Sequence, residues 1–198
     1  MRKRMKKRWI FLLGLGFLSA AGSTAAVLSS HEGQKNQLTV GENVIRIVET
    51  FDPPKELTEG MNVYRKEIVL RNTGNTDTFA RVFMEVEDAE IRNNTEYSDD
   101  GESWYTPDVY TEHLPAGWIF EKESGCFYYT SVLKPGEETS PLVRYVRTEF
   151  PDEESICPYT IMVYAESIQT LQSDGSAFSG ERQWEQAWRQ FLAVKGEL

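Results

Sequence analysis

Cysteine and histidine are scarce in this sequence, and their scarcity removes whole classes of protein. Only two cysteines, Cys126 and Cys157, occur in 198 residues, so the chain is not a small disulfide-rich scaffold. The sequence leaves open whether these two form one disulfide or stay separate thiols. The two histidines, His31 and His113, lie far apart and no HExxH motif is present, so the sequence offers no metalloprotease zinc motif.

Other catalytic and nucleotide-binding signatures are also missing. The sequence has no nucleophile elbow, phosphate-binding loop or dinucleotide fingerprint. A pair of catalytic carboxylates stays open, but 31 Asp and Glu residues make any single pairing uninformative. The acidic residues 99–102 with Asp108 resemble a calcium loop without EF-hand spacing, and we interpret them as a solvated loop. We therefore expect no enzyme, no cofactor and no metal site.

The body of the chain lacks positive charge. The first eight residues hold six of the 21 Lys and Arg residues and no acid, which leaves 15 bases against 31 acids, or −16, in the remainder. Such a field repels nucleic acid and anionic membranes, so we expect neither as a partner. Aromatic residues make up 12% of the chain, which favours a packed core over disorder.

The N-terminus has the three parts of a secretory signal. The basic first eight residues precede an apolar stretch, residues 9–18, and a run of small residues, 19–26. The apolar stretch is well short of the roughly 20 residues that a spanning helix needs. We therefore predict a signal peptide over residues 1–25, cleaved near Ala25 or Ala26, with membrane contact only during export. A retained signal anchor is the alternative, because apolar residues continue past the cleavage point.

Alternation of apolar and polar residues dominates the middle of the chain. It has a period of two from residue 38 to residue 170, and turn residues interrupt it at regular intervals. Short strands without helices between them predict an all-β fold, an antiparallel jelly-roll-like β-sandwich over residues 41–172. The predicted strands are residues 38–50, 66–71, 78–87, 117–120, 126–133, 141–148 and 159–169.

Two segments depart from this alternation. Residues 89–115 are polar, and we interpret them as a long excursion over the surface. The tail, residues 173–198, is predicted to be a loop and a short amphipathic C-terminal helix, because apolar residues at 184, 187, 188, 191 and 192 share one helical face. Glu166 interrupts an apolar strand, and alternation predicts that it lies on an exposed face.

Several segments also form a pattern in a fixed order. They are residues 37–47, 69–75, 79–82, 128–142 and 163–169. In this order they resemble the TasA and camelysin family of Gram-positive bacteria, over roughly three-quarters of the chain. The signal segment likewise resembles the type that the dedicated peptidase SipW processes.

The resemblance implies a jelly-roll fold and a secreted structural subunit of a biofilm matrix fibre or cell-surface layer. In fibre-forming relatives, the N-terminal segment of one subunit completes the sheet of its neighbour as a donor strand. Residues 26–40 occupy that position here, as a leader or donor strand with Leu38 and Val40 as its apolar plugs. The expected partners are further copies of the chain, a SipW-type signal peptidase and an accessory matrix or anchor protein.

Two other functions stay open. A monomeric, surface-displayed binding module would hold a carbohydrate or protein through Tyr97, Trp104, Tyr105 and Tyr110. A camelysin-like protease comes third, because the sequence carries no zinc motif to support it. The sequence does not decide whether the subunit polymerises alone or which ligand a binding module would take.

Overall fold

The structure is a computed structural model and describes residues 42–196. Within that range eight strands form two antiparallel sheets of four strands each. The strands are β1 (Ile45–Asp52), β2 (Gly60–Asn72), β3 (Thr78–Val86), β4 (Thr95–Ser98), β5 (Trp118–Glu121), β6 (Cys126–Leu133), β7 (Val143–Phe150) and β8 (Ile161–Gln169). The helices are α1 (Ala89–Asn93), α2 (Pro107–Tyr110), a 3₁₀ turn (Glu153–Ser155) and α3 (Gln183–Lys195).

The two sheets pack face to face around one main core. Sheet A has the strand order β1-β2-β7-β4, and sheet B has the order β5-β6-β3-β8. Ile68 and Leu70 of β2 and Val146 of β7 meet Val82 of β3 and Phe127 of β6 in the interior. Burial of these apolar side chains is the main force that holds the sheets together. The predicted β-sandwich with a short C-terminal helix is therefore confirmed.

The N-terminal predictions fall mostly outside the described residues. The strand predicted over residues 38–50 is observed as β1, which begins at Ile45. Leu38, Val40, the leader 26–40 and the signal peptide 1–25 lie outside the part that the structure describes. Within residues 42–196, no helix is both long and apolar enough to cross a membrane.

The prediction of a surface excursion over residues 89–115 is wrong. This segment forms α1, β4 and α2, and β4 pairs with β7 at the border of sheet A. Tyr97 and Tyr110 are buried edge to face with ring centroids 5.7 Å apart. The Tyr110 hydroxyl donates to the Leu142 carbonyl oxygen at 2.6 Å. Two of the four aromatic side chains suggested for ligand binding therefore belong to the core.

Helix α3 covers the outer face of sheet B, as the apolar spacing predicts. Ala187 and Trp188 are buried, and Trp184 and Phe191 pack beside them. They contact Phe79, Tyr128 and Ile168, which point outward from sheet B. Gly196 ends the helix in the left-handed conformation, with φ of 75°. Sheet B is thus packed on both of its faces.

Candidate strand-accepting edge

Each sheet of a sandwich has two edge strands, and here two of the four are short. Strand β4 at one border of sheet A and β5 at one border of sheet B have four residues each. Tyr97 of β4 also exchanges backbone hydrogen bonds with Tyr105. A short or locally bridged edge gives an incoming strand little to pair with.

Strand β1, the other border of sheet A, is protected in a different way. Its eight residues include Arg46, Glu49 and Asp52, and Pro53 and Pro54 follow directly. Charged residues on an edge and prolines at its end are ordinary means by which proteins discourage strand addition. Strand β1 is therefore a poor acceptor.

Strand β8 lacks these protections. It has nine residues and pairs with β3 through nine consecutive antiparallel pairs without a bulge. It contains no proline and one charged residue, Glu166. Within residues 42–196, no strand pairs with the side of β8 that faces away from β3, and we call this side the β8 edge. A long, regular edge of this kind is a template for an added strand.

The charge of Glu166, the one charged residue of β8, is neutralised by neighbouring basic side chains. The prediction that Glu166 lies on an exposed face is wrong. The Arg81 guanidinium donates to the Glu166 carboxylate through Nε at 2.7 Å, and Lys195 of α3 lies 3.5 Å from that carboxylate. Burial alone would raise the pKa of Glu166, but the hydrogen bond and charge of Arg81, helped by Lys195, lower it below its usual value. Alternation identifies the face correctly, but α3 covers that face.

Within residues 42–196, the core beside β8 is incompletely covered. Strand β1 lies against β8 and turns Ile45, Ile47, Glu49 and Phe51 inward, and we call these residues the β1 inner row. Ile45 and Ile47 are only partly buried, and Phe51 is 48% exposed. An added strand on the β8 edge would extend sheet B beneath this row. Burial of apolar side chains in this row would then add favourable free energy to the main-chain hydrogen bonds.

A buried ion pair lies at the far end of the β1 inner row. The Lys66 ammonium lies 2.5 Å from the Glu49 carboxylate and 4.9 Å from the centre of the Phe51 ring, and Lys66 is 5% exposed. Sequence reasoning missed this pair. Its signal is that Lys66 is the one base at an inward position of β2, at the same parity as Ile68. The neighbouring strand β1 carries an acid, Glu49, at an inward position as well.

The described chain begins at the C-terminal end of β8. The backbone of Glu42 is held by Asn75, whose side-chain oxygen accepts from the Glu42 N–H at 2.7 Å. The Asn43 side-chain oxygen accepts from Thr78 at 2.7 Å and from Ser167 of β8 at 3.0 Å. The described chain therefore begins next to the β8 edge.

The two cysteines are free thiols in different environments. Cys126 is buried at the start of β6, whereas Cys157 is exposed between the 3₁₀ turn and β8. Burial raises the pKa of the Cys126 thiol, although nearby Arg81 opposes the shift. The disulfide that the sequence left open is not formed in this structure.

In the acidic loop at residues 99–102, the Asp100 carboxylate binds the backbone of its own loop. Asp100 accepts from the N–H groups of Glu102 and Ser103, both at 2.8 Å, and these bonds lower its pKa to about 2. Asp108 pairs instead with Arg92 at 2.5 Å. Among residues 42–196, no three His, Cys, Asp or Glu side chains converge as metal ligands.

Among residues 42–196, these features define a β-sandwich in which no described strand pairs with the long β8 edge. No family model, curated protein or solved structure matches the chain. The functional conclusion therefore depends on the geometry of this chain and on the resemblance of its sequence segments.

Proposed function

We propose that this protein is a secreted structural subunit, without enzymatic activity, of a biofilm matrix fibre or cell-surface layer. Residues 26–40 of one copy add as a donor strand to the β8 edge of the next copy. The observation that carries the proposal is the nine-residue unbulged edge beside a half-exposed inner row. The edge offers main-chain hydrogen bonds, and the row offers an apolar surface.

The fold that accompanies this function is a jelly roll. Two four-stranded sheets, with connections that pass repeatedly between them, support this arrangement. Addition of one strand to β8 gives sheet B five strands and places the new strand against β1. Processing by a SipW-type signal peptidase and contact with an accessory matrix or anchor protein are parts of the same proposal.

Head-to-tail addition explains why a polymer forms rather than a closed dimer. The donor segment and the β8 edge are different surfaces of one chain, so each added copy presents a new acceptor. Net charge opposes the contact, because the chain without its signal segment has 15 bases against 31 acids, or −16. Backbone pairing and apolar burial, which do not depend on charge complementarity, must therefore supply the favourable free energy.

Truncation of the leader tests the proposal. We expect the mature chain that starts at Ala26 to form filaments or large oligomers in size-exclusion chromatography and negative-stain microscopy. The chain that starts at Gly41 keeps the described sandwich and should remain monomeric. Monomers from both chains across concentration and pH would reject donor-strand assembly.

A second candidate, a surface-displayed binding module for carbohydrate or protein, is favoured by one observation. The outer face of sheet A carries a shallow cavity of about 350 Å³ between the Pro53–Pro54 turn and Tyr145. Val63 in its floor is 53% exposed, and Arg65 contributes hydrogen-bond donors. All of its lining residues lie in the Gly41 chain, so that chain should retain any ligand binding that the cavity performs.

A further inference from the structure

We propose that the leader, residues 26–40, also folds back onto the β8 edge of its own chain, so that the newly exported monomer is self-capped. Polymerisation is then an exchange of leaders between copies. This inference rests on the proposed function, because it concerns the same edge and the same segment. It adds a regulatory step: the edge is occupied before a neighbour arrives.

Glu42, the first described residue, lies close to the β8 edge, so the leader attached to it needs to span only a short distance to that edge. Asn75 and Ser167 hold residues 42 and 43 at the C-terminal end of β8. The proposed contact therefore does not require the leader to cross the sandwich. The leader needs only a reversal between the two sheets, because residues 42–44 already pass from β8 towards β1.

The leader is also long enough. Strand β8 has nine residues and therefore spans about 30 Å at roughly 3.3 Å per residue. The 15 residues from 26 to 40 reach up to about 50 Å when extended. The leader is therefore longer than the β8 edge.

The direction of self-pairing follows from the direction of β1. Strand β1 starts near Ser167, and its Phe51 packs on Tyr64, whose hydroxyl lies 2.5 Å from that of Tyr159, just before β8. Strand β1 is therefore antiparallel to β8, and a leader that returns beneath β1 runs parallel to β8. Parallel pairing is slightly weaker per residue than antiparallel pairing. A leader from another copy is free to add in the stronger antiparallel direction.

At low protein concentration, covalent attachment favours the chain's own leader over the leader of another copy. A segment on a short linker acts at an effective concentration of about a millimolar. At micromolar protein, the chain's own leader is therefore favoured by up to about a thousandfold in local concentration. Exchange should become dominant only when copies accumulate, as they do at a cell surface after export.

Cysteine cross-linking separates self-capping from exchange. In a Cys157→Ser background, which keeps the buried Cys126, we would introduce Lys35→Cys and Met162→Cys and treat the protein with a short bismaleimide. Met162 is 40% exposed on β8, and parallel self-pairing places residue 35 beside it if Val40 lies opposite Ser167. The control pair, Lys35→Cys with Val194→Cys, uses the 84% exposed end of α3.

At about 1 µM protein, we expect a fast-migrating cross-linked monomer from the β8 pair, in large excess over dimer, and none from the control pair. That monomer should also fail to join filaments. A ladder of oligomers without cross-linked monomer at any concentration would overturn self-capping while leaving the proposed fibre intact. No cross-linked monomer or oligomer, together with filaments from the Gly41 chain like those of the mature chain, would reject both proposals.

Discussion

Arg81 and Glu166 show how a charged pair is kept beneath a helix. The Arg81 guanidinium lies 4.5 Å from the Trp188 ring, and it also donates to the Tyr128 hydroxyl at 3.1 Å. Glu166 balances its charge from the neighbouring strand β8. Removal of one partner would leave the other buried without its counter-charge, which costs more than the pair itself contributes.

We expect Glu166→Gln to lower the free energy of unfolding at neutral pH by about 2 kcal/mol, because Arg81 keeps only a neutral partner. Folding lowers the pKa of Glu166 below its ordinary 4.5. The ion pair therefore stabilises the protein above that pH, and its contribution is lost as the pH falls through the lower, folded-state value. Urea unfolding at neutral pH and at about pH 3 should show the difference from wild type shrink with acid.

Glu59→Gln is the matched control for this measurement, since Glu59 is exposed in the turn before β2. Its effect should stay within about 0.5 kcal/mol at both pH values. A Glu166→Gln penalty that is independent of pH would show that the charge of the carboxylate does not carry the effect.

At the scale of elements, α3 behaves as the outer layer of sheet B. Trp188 is 2% exposed and meets Tyr128 and Phe191 edge to face at 5.6 and 5.7 Å. Its indole Nε1 is buried without a hydrogen-bond partner within residues 42–196. The contribution of Trp188 therefore comes from packing and from its contact with Arg81, and not from the indole N–H.

We expect Trp188→Ala to cost about 3 kcal/mol of stability because it opens a cavity between α3 and sheet B. Trp188→Phe should cost clearly less, since it keeps an aromatic ring and removes an unsatisfied donor. Val194→Ala, on the same helix but 84% exposed, is the control and should be near neutral. Chemical denaturation gives all three values; equal losses for Ala and Phe would contradict this account.

The elements that the sequence predicted well are those whose periodicity follows burial. Strand β6 and the apolar stripe of α3 are examples, because apolar residues occupy nearly all of their buried positions. Strand β4 was missed, since its inward residue Thr95 is polar and bonds to Thr148 instead. The first half of β2 was missed for the same reason, because Asn62 occupies a buried position.

The candidate edge could be predicted only in part. Alternation located β8 but not its place at the border of sheet B, because strand order depends on pairing between residues far apart in sequence. The contact between Lys66 and Glu49 depends on the register of β1 against β2, which periodicity does not specify. The border position of β8 among the described strands therefore follows from the topology of the chain and not from any local motif.

At the scale of the whole molecule, the proposed donor segment precedes Gly41 in the sequence and the proposed acceptor edge follows it. A chain that begins at Gly41 keeps the β8 edge and the β1 inner row but cannot donate a strand. It can therefore join a filament only at the end whose last subunit has an unbound leader. Such a chain should act as a cap, because nothing can add beyond it.

We expect the Gly41 chain, mixed into the mature chain before assembly, to shorten the filaments in inverse proportion to its mole fraction. Negative-stain microscopy measures the lengths, and a gold label on the truncated chain should appear at one end only. A Gly41 chain with Val163→Pro is the matched control: its proline blocks pairing on β8, so it should leave the lengths unchanged, and circular dichroism would confirm that it still folds. Labels spread along filaments of normal length would contradict head-to-tail addition, because a copy without a leader could then occupy any position.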